Sequence, residues 1–224
     1  MQETNPDSST SEIQELNQTP PSISLWEAIQ ETWMSYGLIA VFVAVFVYEL
    51  WINTAMGGFA LKIDSRVLFA MGANVPQALA QGQIWRAFIA CFLHADLMHL
   101  LMNSLALYYF GPIIERSFGH WKILVFFVMT GFIGSLASSG MHWQEPFLSV
   151  GASGGLYGLF GCLFAAAKRF PSGLGKGFQT WLNQNLGLLI VFSFAPSIDT
   201  WGHFGGLILG LMIGALIKPD AKHA

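Results

Sequence analysis

Residues 149–161 read SVGASGGLYGLFG, and Gly151-Ala152-Ser153-Gly154-Gly155 within them satisfies the G-x-S-x-G pattern of a hydrolase nucleophile. A serine hydroxyl is a weak nucleophile until a base lies within about 2.6–3.2 Å to take its proton. His203, late in the chain, can be that base, because neutral imidazole accepts a proton near neutral pH. The tetrahedral oxyanion that follows needs donors, and a serine opening a helix supplies its own backbone N–H. His99 and Asn103 are four residues apart, so a helix stacks their side chains on one face, where they can supply the remaining donors. Two plainer readings stand beside this one. Ser153 can be a small residue between packed helices, and His99 with Asn103 can be an interhelical polar contact worth about 0.6 kcal/mol.

Other bond-breaking chemistries find less support. No H-E-x-x-H occurs, so the zinc-protease ligand pair and base are missing, and no candidate span carries an aspartate in its interior. Cys91 and Cys162 lie in apolar surroundings at no metal or disulfide spacing, and read as small core residues. His94 reads as a structural histidine rather than a metal ligand. Asp199, four residues before His203, reads as a helix N-cap rather than a third catalytic member. Glu49, late in the first apolar segment, either snorkels outward or bonds to protein. No metal or other cofactor is implied.

The elements that must position these residues are apolar helices. Hydrophobic residues make up 54% of the 224-residue chain and charged residues only 10%, against about 45–50% and about 25% in soluble domains. A bilayer span needs about 20 mainly apolar residues. Segments near 36–54, 97–114, 121–140, 151–168, 181–197 and 200–217 meet or approach that length, which predicts an all-α polytopic membrane protein with six spans. A connection of about 40 residues joins the first two spans, too long for a turn. Its Leu68, Phe69, Phe88 and Phe92 need burial, so it reads as a folded, membrane-associated loop. Residues 1–35 form a polar tail, expected to be disordered up to a short interfacial helix near 25–35, where Ser24-Leu-Trp-Glu27 matches a capping box. The tail has no basic region ahead of an apolar core, so no cleaved signal peptide is expected. Residues 218–224 are a short tail.

Gly206, Gly210 and Gly214 recur every four residues after His203, and Gly154, Gly158 and Gly161 follow Ser153. Two such small-residue stripes let backbones approach closely, which would carry Ser153 to His203. Orientation follows the distribution of cations. Arg116, Lys122, Lys168, Arg169, Lys176, Lys218 and Lys222 fall on one side, whereas Lys62, Arg66 and Arg86 fall on the other. Both termini are therefore expected in the cytoplasm, with Ser153, His203 and the His94–Asn103 cluster toward the outer leaflet. A net charge of -3 gives no basic face for nucleic acid.

Taken together, residues 36–217 resemble the rhomboid family of intramembrane serine proteases. The resemblance rests on Trp85-Arg86, His94, His99-x-x-x-Asn103, Glu115-Arg116, Gly151-Ala-Ser153-Gly154 with Tyr157, and His203-x-x-Gly206-x-x-x-Gly210. It implies a six-helix bundle of the bacterial plasma membrane, with Ser153 as nucleophile and His203 as base in a dyad. It further implies an oxyanion hole of His99, Asn103 and the Ser153 N–H, with Tyr157 stacked to position the histidine. Trp85-Arg86 and Glu115-Arg116 are implied to be structural. Substrates are implied to be transmembrane proteins, cut after a small residue where the helix unwinds easily. Oligomeric state does not follow from these residues.

Three rival readings carry less. A soluble lipase needs a strand-to-helix elbow, and no strand pattern precedes Ser153. A transporter needs polar groups at the midplane rather than toward one leaflet. An inactive relative that only binds membrane clients would lack the serine or the histidine, and this chain keeps both.

Overall fold

The computed structural model describes residues 30–59, 61–171, 176–196 and 198–219. The chain divides into two units, Met1–Glu31 and Thr32–Ala224, and the second is a helical bundle. The expected tail and the capping box at Ser24–Glu27 lie outside the described residues. Trp33, Met34 and Ser35, expected in an interfacial helix, instead form the first turn of a long helix.

Among the described residues the elements are all helical. Long helix α1 (Trp33–Ala55) is followed by the short helices α2 (Ser65–Met71), α3 (Pro76–Ala80) and α4 (Arg86–Ile89) and a 3₁₀ turn at Ala90–Phe92. Then come α5 (Leu97–Phe118), α6 (His120–Met141), α7 (Ser153–Arg169), α8 (Lys176–Phe192) and α9 (Thr200–Leu216). Among the described residues, α1, α5 and α6 are long and apolar enough to cross a membrane, and α9 is a shorter apolar helix. The chain is an integral membrane protein built as a helical bundle.

Two boundaries differ from those read in the sequence. α5 runs a further turn, to Phe118, although Pro112 lies inside it. α8 spans Lys176–Phe192 rather than 181–197, because hydropathy follows apolar residues while the helix follows backbone bonding. Polar Gln179 and Thr180 are helical, whereas apolar Phe194 and Ala195 are in turns ahead of Pro196, a residue that disfavours helical geometry just before it.

Helix ends inside an apolar bundle cannot rely on water for their unpaired backbone groups, so side chains must serve them. Glu115, buried near the end of α5, accepts from the N–H groups of Met34 (3.0 Å) and Ser35 (2.7 Å) and from the Ser35 hydroxyl (2.5 Å), and so caps α1. At the far end of α1, Asn53 donates to the carbonyls of Phe59 and Lys62 and accepts from Asp64 N–H. Asp64, Asp96 and Asp199 cap α2, α5 and α9 through the N–H groups of Arg66, His99 and Gly202.

The long loop is held by Arg86. Its guanidinium donates to the carbonyls of Phe69 (2.7 Å) and Ala73 (3.3 Å) at the end of α2, and to Gln83 (2.7 Å). It lies 4.4 Å over the Phe69 ring and 4.8 Å over Trp85. Trp85 in turn packs on Gly72, whose φ of 114° ends α2. Within this loop Leu68 is buried, but Phe69, Ile84, Trp85 and Phe88 remain exposed, giving the loop an apolar side that a bilayer interface would cover.

The tightest packing joins α7, α9 and α6. A Cβ at Gly206 would fall on the Gly154 carbonyl, one at Gly210 on the Gly158 carbonyl and one at Gly214 on the Cys162 carbonyl. Gly155, the last residue of the G-x-S-x-G pattern, abuts the Phe127 ring of α6, and Thr130 donates to its carbonyl at 3.2 Å.

Candidate active site

Ser153 is the first residue of α7, so its backbone N–H is among those the helix leaves unpaired. His203 lies in the first turn of α9 and is buried. The close approach of the two glycine stripes brings these helix starts together, and the Ser153 Oγ to His203 Nε2 distance is 2.8 Å. Tyr157, one turn after Ser153, stacks on the imidazole with ring centroids 4.0 Å apart and an interplanar angle of 21°. Its hydroxyl donates to the Leu189 carbonyl of α8 at 2.8 Å.

The segment before Ser153 is irregular backbone held inside protein. Gly151 N–H donates to the Ala90 carbonyl at 2.8 Å, and Ser149 exchanges two 2.9 Å backbone bonds with Asn74 of the long loop. Gly151 has φ 131°, a conformation that side chains resist, and a Cβ there would strike the His99 ring and sit 3.7 Å from Asn103 Nδ2. His99 and Asn103 therefore converge on the backbone two residues before Ser153. Asn103 Nδ2 is buried and makes no hydrogen bond, a costly state for a donor. A cavity of ≈ 20 Å³ adjoins Ser153 and His203, lined also by Gly131, Ser135, Ser149 and Gly151 among others. That is room for about one water molecule.

His94 stands behind His99, with ring centroids 5.3 Å apart, and also packs against Phe42. Burial first, and then the neighbouring His99, pushes its imidazole down to about 3, so it is neutral. Glu49 does not snorkel. It is fully buried and accepts from His94 N–H at 3.2 and 3.3 Å. Asp199 is committed elsewhere than to the imidazole. One of its oxygens caps α9 and the other accepts from the Ser149 hydroxyl at 2.5 Å. Trp85-Arg86 lie in the long loop and Glu115-Arg116 at the end of α5 opposite His99.

Two residues that sequence reasoning missed belong to this region. Asn74, fully buried, pairs its backbone with Ser149, donates to the Ser135 carbonyl and accepts from Ser139 Oγ, tying loop, α6 and the Ser153 segment together. Ser193, just past α8, faces His203 Nδ1 at 3.2 Å. Neither lies in a motif, and a lone Asn or Ser carries no periodic signal that could have found it.

The fold is that of an all-helical membrane bundle in which a serine and a histidine pair at two abutting helix starts. The rhomboid domain profile matches residues 81–220, and the chain belongs to the rhomboid family. It is similar to the rhomboid protease GluP of Bacillus subtilis, with 34% identity over 182 residues, 79% of this chain and 34% of GluP. RHOMBOID-like protein 1 of Arabidopsis thaliana is 30% identical over 219 residues, covering 84% of this chain and 54% of that protein. YdcA of B. subtilis, also named for this family, is 31% identical over 164 residues, 70% of this chain and 80% of YdcA. The chain spans about a third of GluP and about half of the Arabidopsis protein. GluP and YdcA are both named as rhomboid proteases.

Proposed function

We propose that this chain is an intramembrane serine endopeptidase that cleaves transmembrane segments of other proteins through Ser153 and His203, without a cofactor. The observation that carries this reading is the 2.8 Å contact between Ser153 Oγ and His203 Nε2 at a helix N-terminus. Ser153 gives its proton to Nε2 as Oγ attacks the scissile carbonyl carbon. The oxyanion then takes hydrogen bonds from the Ser153 N–H, the unpaired Asn103 amide and His99. Collapse of the tetrahedral species breaks the C–N bond, His203 returns the proton to the leaving amine, and a water hydrolyses the acyl-enzyme with His203 again as base. The small cavity beside the pair suits a small side chain before the scissile bond, or that water. A helical peptide bond is shielded by its own hydrogen bonds, so substrates with Gly or Pro near the cut unwind more easily.

All six long helices cross the membrane in this reading, with both termini cytoplasmic and the site toward the outer leaflet of a bacterial plasma membrane. The length of α7 supports the depth of the site. From Ser153 to Arg169 the helix rises roughly 24 Å against a hydrocarbon core of about 30 Å. With Lys168 and Arg169 at the cytoplasmic boundary, Ser153 lies several ångströms beneath the outer one, reached through the irregular segment that Asn74 and Ala90 satisfy. The experiment is fluorophosphonate labelling and cleavage of a transmembrane test substrate by the purified protein, compared with Ser153→Ala and His203→Ala. Both variants are expected to lose cleavage; full cleavage by either would refute the dyad.

A further inference from the structure

We infer that Ser193 is a positioning residue that holds the His203 imidazole in the tautomer the reaction requires, a role that rests on the protease reading above. The assignment comes from the protons available around one carbonyl. Ser193 is fully buried, and its Oγ lies 2.9 Å from the Leu189 carbonyl and 3.2 Å from His203 Nδ1. A hydroxyl oxygen and a carbonyl oxygen attract at that distance only when the hydroxyl proton lies between them, since a carbonyl has nothing to donate. Ser193 has one such proton, so toward His203 its oxygen offers only lone pairs. With the hydroxyl proton directed to Leu189, whose carbonyl also takes the Ser193 N–H at 3.0 Å, the proton of the 3.2 Å contact is assigned to Nδ1. In a neutral imidazole that leaves Nε2 as an acceptor, and Nε2 is the atom 2.8 Å from Ser153 Oγ. The chain of donors runs Ser153 to His203 to Ser193 to Leu189, ready for Ser153 to lose its proton.

The surroundings keep Ser193 in place. Thr200, at the start of α9, donates to the Ser193 carbonyl at 2.7 Å, fixing it to the helix that carries His203. Tyr157, stacked on the same imidazole, donates to the same Leu189 carbonyl that Ser193 uses. The titratable groups within electrostatic reach of His203 are Asp199 and His99, with Tyr157 on its face. Asp199 is not the Nδ1 partner: its oxygens bond Gly202 N–H and the Ser149 hydroxyl, and the group facing Nδ1 is Ser193 Oγ. A neutral hydroxyl thus stands where a triad would place a carboxylate.

The test reads the tautomer directly. Protein labelled with ¹⁵N-histidine is examined by NMR in detergent near neutral pH, with His203→Ala used to assign the His203 signals. The parent is expected to show a protonated Nδ1 and an unprotonated Nε2. Ser193→Ala is expected to show mixed tautomers and a kcat for the transmembrane test substrate lowered about tenfold with KM unchanged, the effect of losing about one ordinary hydrogen bond. Ser193→Thr, which keeps the hydroxyl, is expected to restore most of both. A parent protonated on Nε2 would overturn the assignment without any variant, as would Ser193→Ala with unaltered tautomer and kcat. Because the spectrum needs no substrate, a parent that holds Nδ1–H yet cleaves nothing would count against the protease reading while upholding the role of Ser193.

Discussion

At the scale of single residues, the site combines polar groups that have fixed partners with buried groups that have none, among them Asn103 Nδ2 and the ring nitrogens of His94. Asn103 Nδ2 is buried with no acceptor of its own, which for a donor is tolerable only if something else benefits. If that something is the oxyanion, Asn103→Ala should lower kcat roughly 100- to 1,000-fold with little change in KM, measured on a transmembrane test substrate. Asp199 makes the opposite case. Its two oxygens serve the α9 cap and Ser149, so Asp199→Ala should reduce stability by about 1 kcal/mol in a thermal melt. Its effect on kcat should remain under about tenfold, far short of the roughly 10⁴-fold loss that follows damage to a true triad carboxylate.

At the scale of elements, the glycine stripes of α7 and α9 determine whether the two reacting atoms meet. The positions are not equivalent. A Cβ at Gly206 would overlap the Gly154 backbone carbonyl, which has nowhere to go, whereas a Cβ at Gly154 would sit 3.2 Å from the Gly202 carbonyl. Gly206→Ala should therefore nearly abolish cleavage by forcing the helices apart, although it removes no reacting group, and Gly154→Ala should retain measurable cleavage. Initial-rate assays of the two variants beside the parent test this order; a Gly206→Ala enzyme faster than Gly154→Ala would show that α7 and α9 need not touch. α8 is held differently. Its link to the site runs through the Leu189 carbonyl and the Ser193 turn rather than through a stripe of small residues.

At the scale of the whole molecule, the cap of α1 and the candidate site lie at opposite ends of α5. Glu115 caps α1 from α5 and also bonds His120 Nδ1 at 2.5 Å, far along α5 from His99 and Asn103. Glu115→Ala would leave two α1 N–H groups buried and unpaired, each costing about 1–3 kcal/mol. The expected result is a clearly lowered melting temperature with kcat per folded molecule unchanged, checked by a thermal melt and by active-site titration with a fluorophosphonate. A proportional fall in kcat would mean that the cap transmits strain to the site.

Much of this was legible in the chain. Apolar segments of span length, cations on alternate connections, glycines at four-residue spacing and the residue types at 99, 103, 153 and 203 are one-dimensional signals, because helical periodicity and hydrophobicity are properties of neighbours along the chain. They specify an all-helical membrane bundle and identify which residues could react. The residue type of Asp199 ahead of α9 already suggests a cap, but only the structure shows which groups its two oxygens bond, Gly202 N–H and the Ser149 hydroxyl. Nor could the sequence alone reveal Asn74 bridging loop and site, Glu49 beneath His94, Gly155 against Phe127, or Ser193 opposite Nδ1. Each of these depends on a partner distant in the chain, and a hydrogen bond forms only when folding brings donor and acceptor within about 3 Å in the right direction. Burial makes such bonds obligatory without naming the partner; that choice belongs to the packing of the helices.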